Sequence, residues 1–380
     1  MQLVNALPFN GVRFLSKIVV LCSVAALAVA QQVPPSSSLP SSTAATGSPA
    51  APADQTKPTL PPGLDPKTMT PLYETIQEDW SSLTVGASKL QPEEPLVALT
   101  DQTDTFTRTL VQVKWRPGDP IDLWIILPKG VKKPPAVLYL YGHDQDTDRF
   151  KNDRWAARVT SGGVAAVGFV SALSGHRFHD RPMKQWFVSE LQESLGSTVH
   201  DVKFILDYLA QRGDIDIDME RIGMFGEGSG GTIAILAAAA DPRIKAVDAL
   251  EPWGDWPDFL AKSPLLEGDP NRADYVKPEF LKKVAPLDPV KWLPELKVPV
   301  RVLQVRQNDS TPIECKESIK AASPKQAEVV RFEAISDLTG REGGGRLFEW
   351  IKARVQGKPE APSKLSVADG NSSHGDSSHP

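Results

Sequence analysis

The chain has 380 residues, 41% hydrophobic and 23% charged, enough apolar material for one large or two ordinary domains. Its 42 basic and 47 acidic side chains leave a net charge of −5, a field that does not attract a phosphate backbone and argues against a nucleic-acid partner. Two cysteines, Cys22 and Cys315, exclude a disulfide scaffold and any cysteine-based zinc or iron–sulfur cluster.

Residues 1–30 have the layout of a secretory signal. Arg13 and Lys17 precede an apolar run from Ile18 to Ala30, which closes on the small-x-small series Ala28-Val29-Ala30. The run is short for a membrane span, so cleavage before Gln31 and a secreted or periplasmic mature chain without a transmembrane span are expected. Cys315 is then the one remaining thiol, expected to be buried. Residues 31–66 hold nine prolines among Ser, Ala and Thr, a composition that buries no core and reads as an extended linker. Residues 357–380 read as a Ser/Gly-rich tail carrying His374 and His379.

The stretch between, 67–356, reads as one globular domain. Thr70 to Ser82 has a helical rhythm in Leu72, Ile76 and Trp80. Phe106 to Trp115 alternates as a half-buried strand, Arg116–Pro120 turns, and Ile121 to Leu127 returns, predicting an antiparallel hairpin. Beyond Pro135 short apolar runs alternate with longer helical segments. Ala136–Leu140, Val164–Val170, Arg221–Phe225, Ala246–Leu250, Val298–Val305 and Glu328–Ile335 are strand candidates. Val199–Gln211 is the best helix, with Val202, Ile205, Leu206 and Leu209 on one stripe. Runs apolar on both faces, alternating with helices, predict an α/β fold with a doubly wound, mostly parallel sheet.

Arg221-Ile-Gly-Met-Phe-Gly-Glu-Gly-Ser-Gly-Gly231 passes from strand through a glycine-rich turn into the apolar helix beginning at Thr232. It resembles the nucleophile elbow of the α/β-hydrolase superfamily, whose pattern is G-x-S-x-G. The likeness is strongest to the secreted dienelactone-hydrolase-like and acetyl-xylan-esterase-like branch and spans about residues 105–355. It implies an oxyanion-type loop at Tyr141, Gly142 and His143, with Tyr141 where histidine is usual. Asp309 stands as the family's acid, and Glu251 is an alternative acid after the preceding strand. A small cap insertion falls at about 251–296; its Trp253, Trp256, Phe259 and Trp292 either line a groove or pack the cap onto the sheet.

This chain departs from the pattern at two positions. With Gly226 and Gly230 as the motif glycines, Gly228 takes the nucleophile position and Ser229 comes one residue late. Asp337 lies near the place of the family's histidine, and no histidine occurs between His200 and His374. Two functional readings follow. One is a catalytically lapsed hydrolase fold that binds a small ester, carbohydrate or peptide in the retained cleft. The other is an active serine esterase or peptidase using Ser229 with Asp309 or Glu251 and a relocated loop histidine, His143, His176 or His179. His176 and His179, with His143 or Asp144, also have spacings open to metal, though the expectation is no metal and no cofactor. The glycine turn lacks the lysine of a phosphate loop.

Overall fold

The computed structural model describes residues 78–85, 92–116, 118–145, 147–177, 187–308 and 310–358. The expected signal, the linker and nearly all of the tail lie outside the described residues, as do His179, Asp309, His374 and His379.

Nine strands form one sheet in the order β1-β2-β3-β5-β4-β6-β7-β8-β9. Three antiparallel strands lead: β1 (Leu96–Gln102), β2 (Phe106–Val113) and β3 (Ile121–Pro128). β3 runs antiparallel to β5 (Ala165–Phe169). From β5 across β4 (Ala136–Leu140), β6 (Ile222–Glu227), β7 (Ile244–Leu250), β8 (Val300–Val305) and β9 (Glu328–Phe332) every pairing is parallel. β4, β5 and β8 are buried along their whole length. That is why they read as continuous apolar runs rather than alternating ones.

Helices cover both faces. They are α1 (Asp148–Lys151), α2 (Asp153–Thr160), α3 (Leu191–Gln211), α4 (Ser229–Ala240), α5 (Trp256–Lys262), α6 (Arg272–Tyr275), α7 (Pro278–Val284), α8 (Pro289–Trp292), α9 (Ile313–Ala322), α10 (Ile335–Glu342) and α11 (Glu349–Val355). One apolar cluster joins α3 and α4 to Leu138, Val167, Met224 and Val302. The other joins Trp155, Phe348, Ile351 and Val355 to Tyr139, Phe225 and Leu303 on the opposite side. Because β4 sits between β5 and β6, the chain leaves β4 in one direction and later returns on its other side. The crevice of such a sheet opens at the carboxyl ends of those strands.

Four expectations change. The expected hairpin is a three-stranded antiparallel unit, because Leu96–Gln102 adds an edge strand exposed on both faces and therefore without a burial pattern. The helix expected over 70–82 is not a helix in its described part: residues 78–85 turn, with Asp79 Oδ1 accepting from Ser81 N at 3.0 Å. Tertiary contact overrides the local rhythm there. Glu78 carboxylate oxygens accept from Arg116 Nε and Nη2, each at 2.7 Å, and from His200 Nδ1 at 2.5 Å. α3 begins at Leu191, eight residues before the expected start at Val199; Ser194, Ser197 and Thr198 keep the apolar stripe from reaching back that far, but return their hydroxyls to carbonyls four residues back. Finally, the strand expected over Glu328–Ile335 ends at Phe332, and Ile335–Glu342 form α10.

A charged network buried beside α3 ties the antiparallel strands to the parallel ones. Asp201 accepts from Trp115 Nε1 at 2.9 Å, from Arg177 Nη1 at 2.9 Å and from Arg116 Nη1. Arg177 also donates to Asp119 Oδ1 at 2.8 Å. Farther along, Arg301 faces Asp248 across the β7–β8 register and grips it at 2.9 and 2.7 Å. Such pairs stabilise only as complete sets, since one partner alone would be a buried charge.

Candidate active site at the elbow between β6 and α4

The turn from β6 into α4 is fixed by backbone sterics. A Cβ on Gly226 would lie 2.1 Å from the Gly230 carbonyl oxygen, and one on Gly230 would lie 2.1 Å from the Leu140 carbonyl oxygen. No side chain fits at either place, so Gly226 and Gly230 act as the paired small residues of an elbow, with Gly228 midway. Gly228 has φ 57° and ψ −123°, a conformation strained for any residue with a Cβ. Space is not the obstacle: a Cβ on Gly228 would meet Trp253 Nε1 at 3.6 Å and Gly142 Cα at 3.9 Å, both ordinary contacts.

Ser229 is the first residue of α4 and is fully buried. Its Oγ accepts from the backbone amide of His143 at 2.9 Å. The β4–α1 loop and the elbow thus meet at the sheet's switch point, but the Ser229 hydroxyl is held inside. Tyr141 does not face this point. It is packed between Phe150, Trp155 and Phe225, and its hydroxyl accepts from Trp155 Nε1 at 2.9 Å. Burial pushes the Tyr141 phenol well above its ordinary value. The His143 ring packs at a tilt against Phe187 at 4.8 Å and edge-on against Trp253 at 5.2 Å between centroids.

The carboxyl groups have separate duties. Glu251 has φ 50° and is buried; its Oε1 accepts from Val305 N at 2.5 Å and its Oε2 from Asn308 Nδ2 at 3.0 Å, with Lys316 Nζ at 3.4 Å. Lys316 Nζ also donates to the Val305 and Asn308 carbonyls at 2.5 and 2.7 Å. Glu251 therefore secures the loop after β8. Burial raises its carboxyl to about 7 against the opposing pull of Lys316. Glu227, half-buried beside Gly228, is also raised to about 7 by burial, with Arg149 opposing and Asp144 and Glu251 adding to the rise. Asp337 is exposed in the first turn of α10, and its Oδ2 accepts from Ala334 N at 2.9 Å, the work of a helix cap.

Of the histidines, His200 is committed to Glu78 and to the Ser82 carbonyl at 2.8 Å. His176 lies in a tight helical turn, Gly175–Arg177, and its side chain is outside the described residues, like all of His179 and Asp309. Among the described residues no three His, Cys, Asp or Glu side chains gather to hold a metal ion. No described helix is long and apolar enough to cross a membrane. Cys315 is buried, and burial pushes its thiol up to about 12.

The aromatic insertion packs inward. Trp253, Trp256 and Phe259 are buried, and Trp253 stacks on Phe259 at 4.9 Å. Trp292 is half-buried and donates to the Pro286 carbonyl at 2.8 Å. Sequence reasoning missed the role of Thr232: its hydroxyl donates to the Trp253 carbonyl at 2.8 Å and accepts from the Trp253 amide at 2.9 Å. This clamp sets the indole over Gly228, and no periodicity signals it.

No family model matches the chain. A curated relative, the hydrolyase poxO of Penicillium oxalicum, is 28% identical over 153 residues, 38% of this chain and 33% of that protein. The chain thus spans about a third of the length of the relative it matches. Among solved structures, the acetyl xylan esterase from Paenibacillus sp. R4 superposes with a TM-score of 0.56 at 18% identity, covering 70% of this chain and 89% of that one. Acetyl xylan esterase 1 from Thermoanaerobacterium sp. JW/SL YS485 gives 0.53 at 16% identity over 68% and 88%. Likeness at this identity speaks for architecture, and it agrees with the strand order, the elbow and the inserted helices: the chain has the α/β-hydrolase fold.

Proposed function

We propose that this chain is a secreted α/β-hydrolase-fold protein that binds a small ester, carbohydrate or peptide ligand in the cleft at its elbow without turning it over. The observation that carries the reading is Gly228. It holds the strained backbone of the elbow between two obligatory glycines, where the superfamily pattern has its serine, and it has no side chain to attack with. Support also comes from Ser229, whose buried hydroxyl is engaged by the His143 amide, and from Asp337, a capping carboxylate near the place of the histidine. A hydroxyl without a positioned base is a weak nucleophile at neutral pH. That two structural neighbours are acetyl xylan esterases favours an acyl ligand. Secretion rests on the charged, apolar and Ala28-Val29-Ala30 series of residues 1–30.

Incubation with a serine-directed fluorophosphonate, read by intact mass, tests the reading together with phenyl acetate turnover. The expected result is no adduct and no turnover above the uncatalysed rate. An adduct on Ser229, or wild-type turnover lost in Ser229→Ala, overturns it. Exported protein should begin at Gln31 by mass; retention of residues 1–30 in exported material overturns the secretory part.

A further inference from the structure

The net charge of −5 is unevenly spread. Five exposed lysines, Lys129, Lys132, Lys297, Lys325 and Lys358, have no ion-pair partner among the described residues. All five lie along one edge of the sheet, where the parallel strands begin. Lys129 and Lys132 stand in the turn between the end of β3 and the start of β4 at Ala136. Lys297 comes three residues before β8, and Lys325 three residues before β9. Lys358 follows α11, whose Val355 side chain would lie 2.7 Å from a Cβ on Gly223, near the start of β6. Several acids of this edge are already engaged: Asp214 with Arg212, Asp218 with Arg221 and Asp241 with Arg243. Asp104, Glu220 and Glu295 stay unmatched among the described residues, and the free lysines outnumber them. At the opposite edge the acids Asp144 and Glu227 flank the elbow, so charge runs from basic to acidic along the strands.

We infer that this edge docks on a membrane surface bearing anionic lipid headgroups, with Val131 entering the headgroup layer and the crevice facing away. Geometry selects an extended surface. β4 and β9 stand four strand steps apart, about 20 Å. Charges are screened over roughly 8 Å at physiological salt, so a small anion meets one lysine while a broad anionic surface meets the whole row. Val131 selects lipid over a soluble polyanion. It sits between Lys129 and Lys132, is 40% exposed, and leans on the neighbouring turn, 3.2 Å from the place of a Cβ on Gly163. A soluble polyanion gives an apolar tip nothing to bury in, whereas the headgroup boundary does. Contact of this kind lies on the membrane, and it needs no spanning helix. The inference goes beyond the reading of the cleft and is independent of any turnover there.

The test is co-sedimentation of the mature protein with vesicles of phosphatidylcholine and phosphatidylglycerol in equal parts, and with vesicles of phosphatidylcholine alone. The protein should bind the mixed vesicles, leave the neutral ones, and bind less as salt is raised. Lys129→Ala and Lys132→Ala should each weaken binding about fivefold, and together about 25-fold. Val131→Ser should weaken it severalfold without changing the salt dependence. All three side chains are exposed, and thermal unfolding checks that the variants fold. No binding to the mixed vesicles, equal binding to the neutral ones, or binding unchanged by loss of both lysines overturns the inference. So does binding to soluble polyphosphate as tight as to the vesicles, with Val131→Ser bound as well as wild type, since the partner is then a polyanion and not a membrane.

Discussion

The backbone amide of His143 donates to the Ser229 hydroxyl at 2.9 Å, joining the loop after β4 to the first residue of α4. A serine poised for attack keeps its hydroxyl toward substrate and a base. This one faces inward and occupies a donor of the oxyanion-type loop.

Removing that hydroxyl leaves a buried amide without its acceptor. Ser229→Ala should therefore destabilise the fold by about 1–3 kcal/mol, the cost of an unsatisfied buried donor, and leave ester turnover at background. Chemical denaturation compared with wild type measures the first effect and a phenyl acetate assay the second.

Restoring the hydroxyl at the elbow should not restore catalysis. Gly228→Ser has room beside Trp253, but φ 57° strains it and no described histidine is free to act as base. Turnover should stay near background, since a positioned base is worth roughly 10²–10⁴-fold. Adding Asp337→His should raise turnover above either single variant, at a cost of about 1 kcal/mol for the lost α10 cap. A pH–rate profile of the double variant, with a new ionisation near that of histidine, identifies the base.

Acid should unfold the molecule through Glu78. Burial alone would raise this carboxyl, but hydrogen bonds from Arg116 and His200 outweigh it and hold the group at about 2. Its pKa is lower folded than unfolded, so its contribution is complete above about pH 4.5 and is lost as pH falls toward 2. Glu78→Gln should be less stable than wild type at pH 7, with the difference shrinking toward pH 2. Denaturant midpoints across that range report it.

Glu227 carries the opposite sign. Its carboxyl is raised to about 7, so the folded state holds the proton more tightly and stability falls as pH rises from about 4.5 to 7. Glu227→Gln should flatten that slope and gain about 1–2 kcal/mol relative to wild type at pH 8. Equal slopes for the two proteins in denaturant titrations at pH 5, 6.5 and 8 would refute this assignment.

The parallel strands were legible because burial on both faces leaves an unbroken apolar run, as in Val300–Val305. Leu96–Gln102 was not legible, since a strand exposed on both sides has no pattern to display. Gly228 could be placed from glycine spacing because the clash that bars a side chain at Gly226 is with Gly230, four residues on; the one that bars a side chain at Gly230 is with the distant Leu140 carbonyl and could not be read. Trp253 and Thr232 are separated by 21 residues, and Glu251 and Val305 by 54, so their hydrogen bonds exist only once strands β6 to β8 are aligned. Asp337 lies near the place of the family's histidine, and its work as a cap was not legible, because the carboxylate takes the third position of a helix start only once its neighbours form α10.

The clasp around Asp201 also sets an order of events during synthesis. Glu78 meets His200 across 122 residues of chain, and Arg116 meets Asp201 across 85. Neither contact can close until α3 has left the ribosome. The arginines and carboxylates therefore remain hydrated while β1 to β5 are made, and are dehydrated together when α3 docks. Contacts of such long range slow folding. They also make the segment near Glu78 a late addition: a nascent chain halted before residue 200 would keep that segment open to proteases, and one long enough for all of α3 to clear the ribosome would close it.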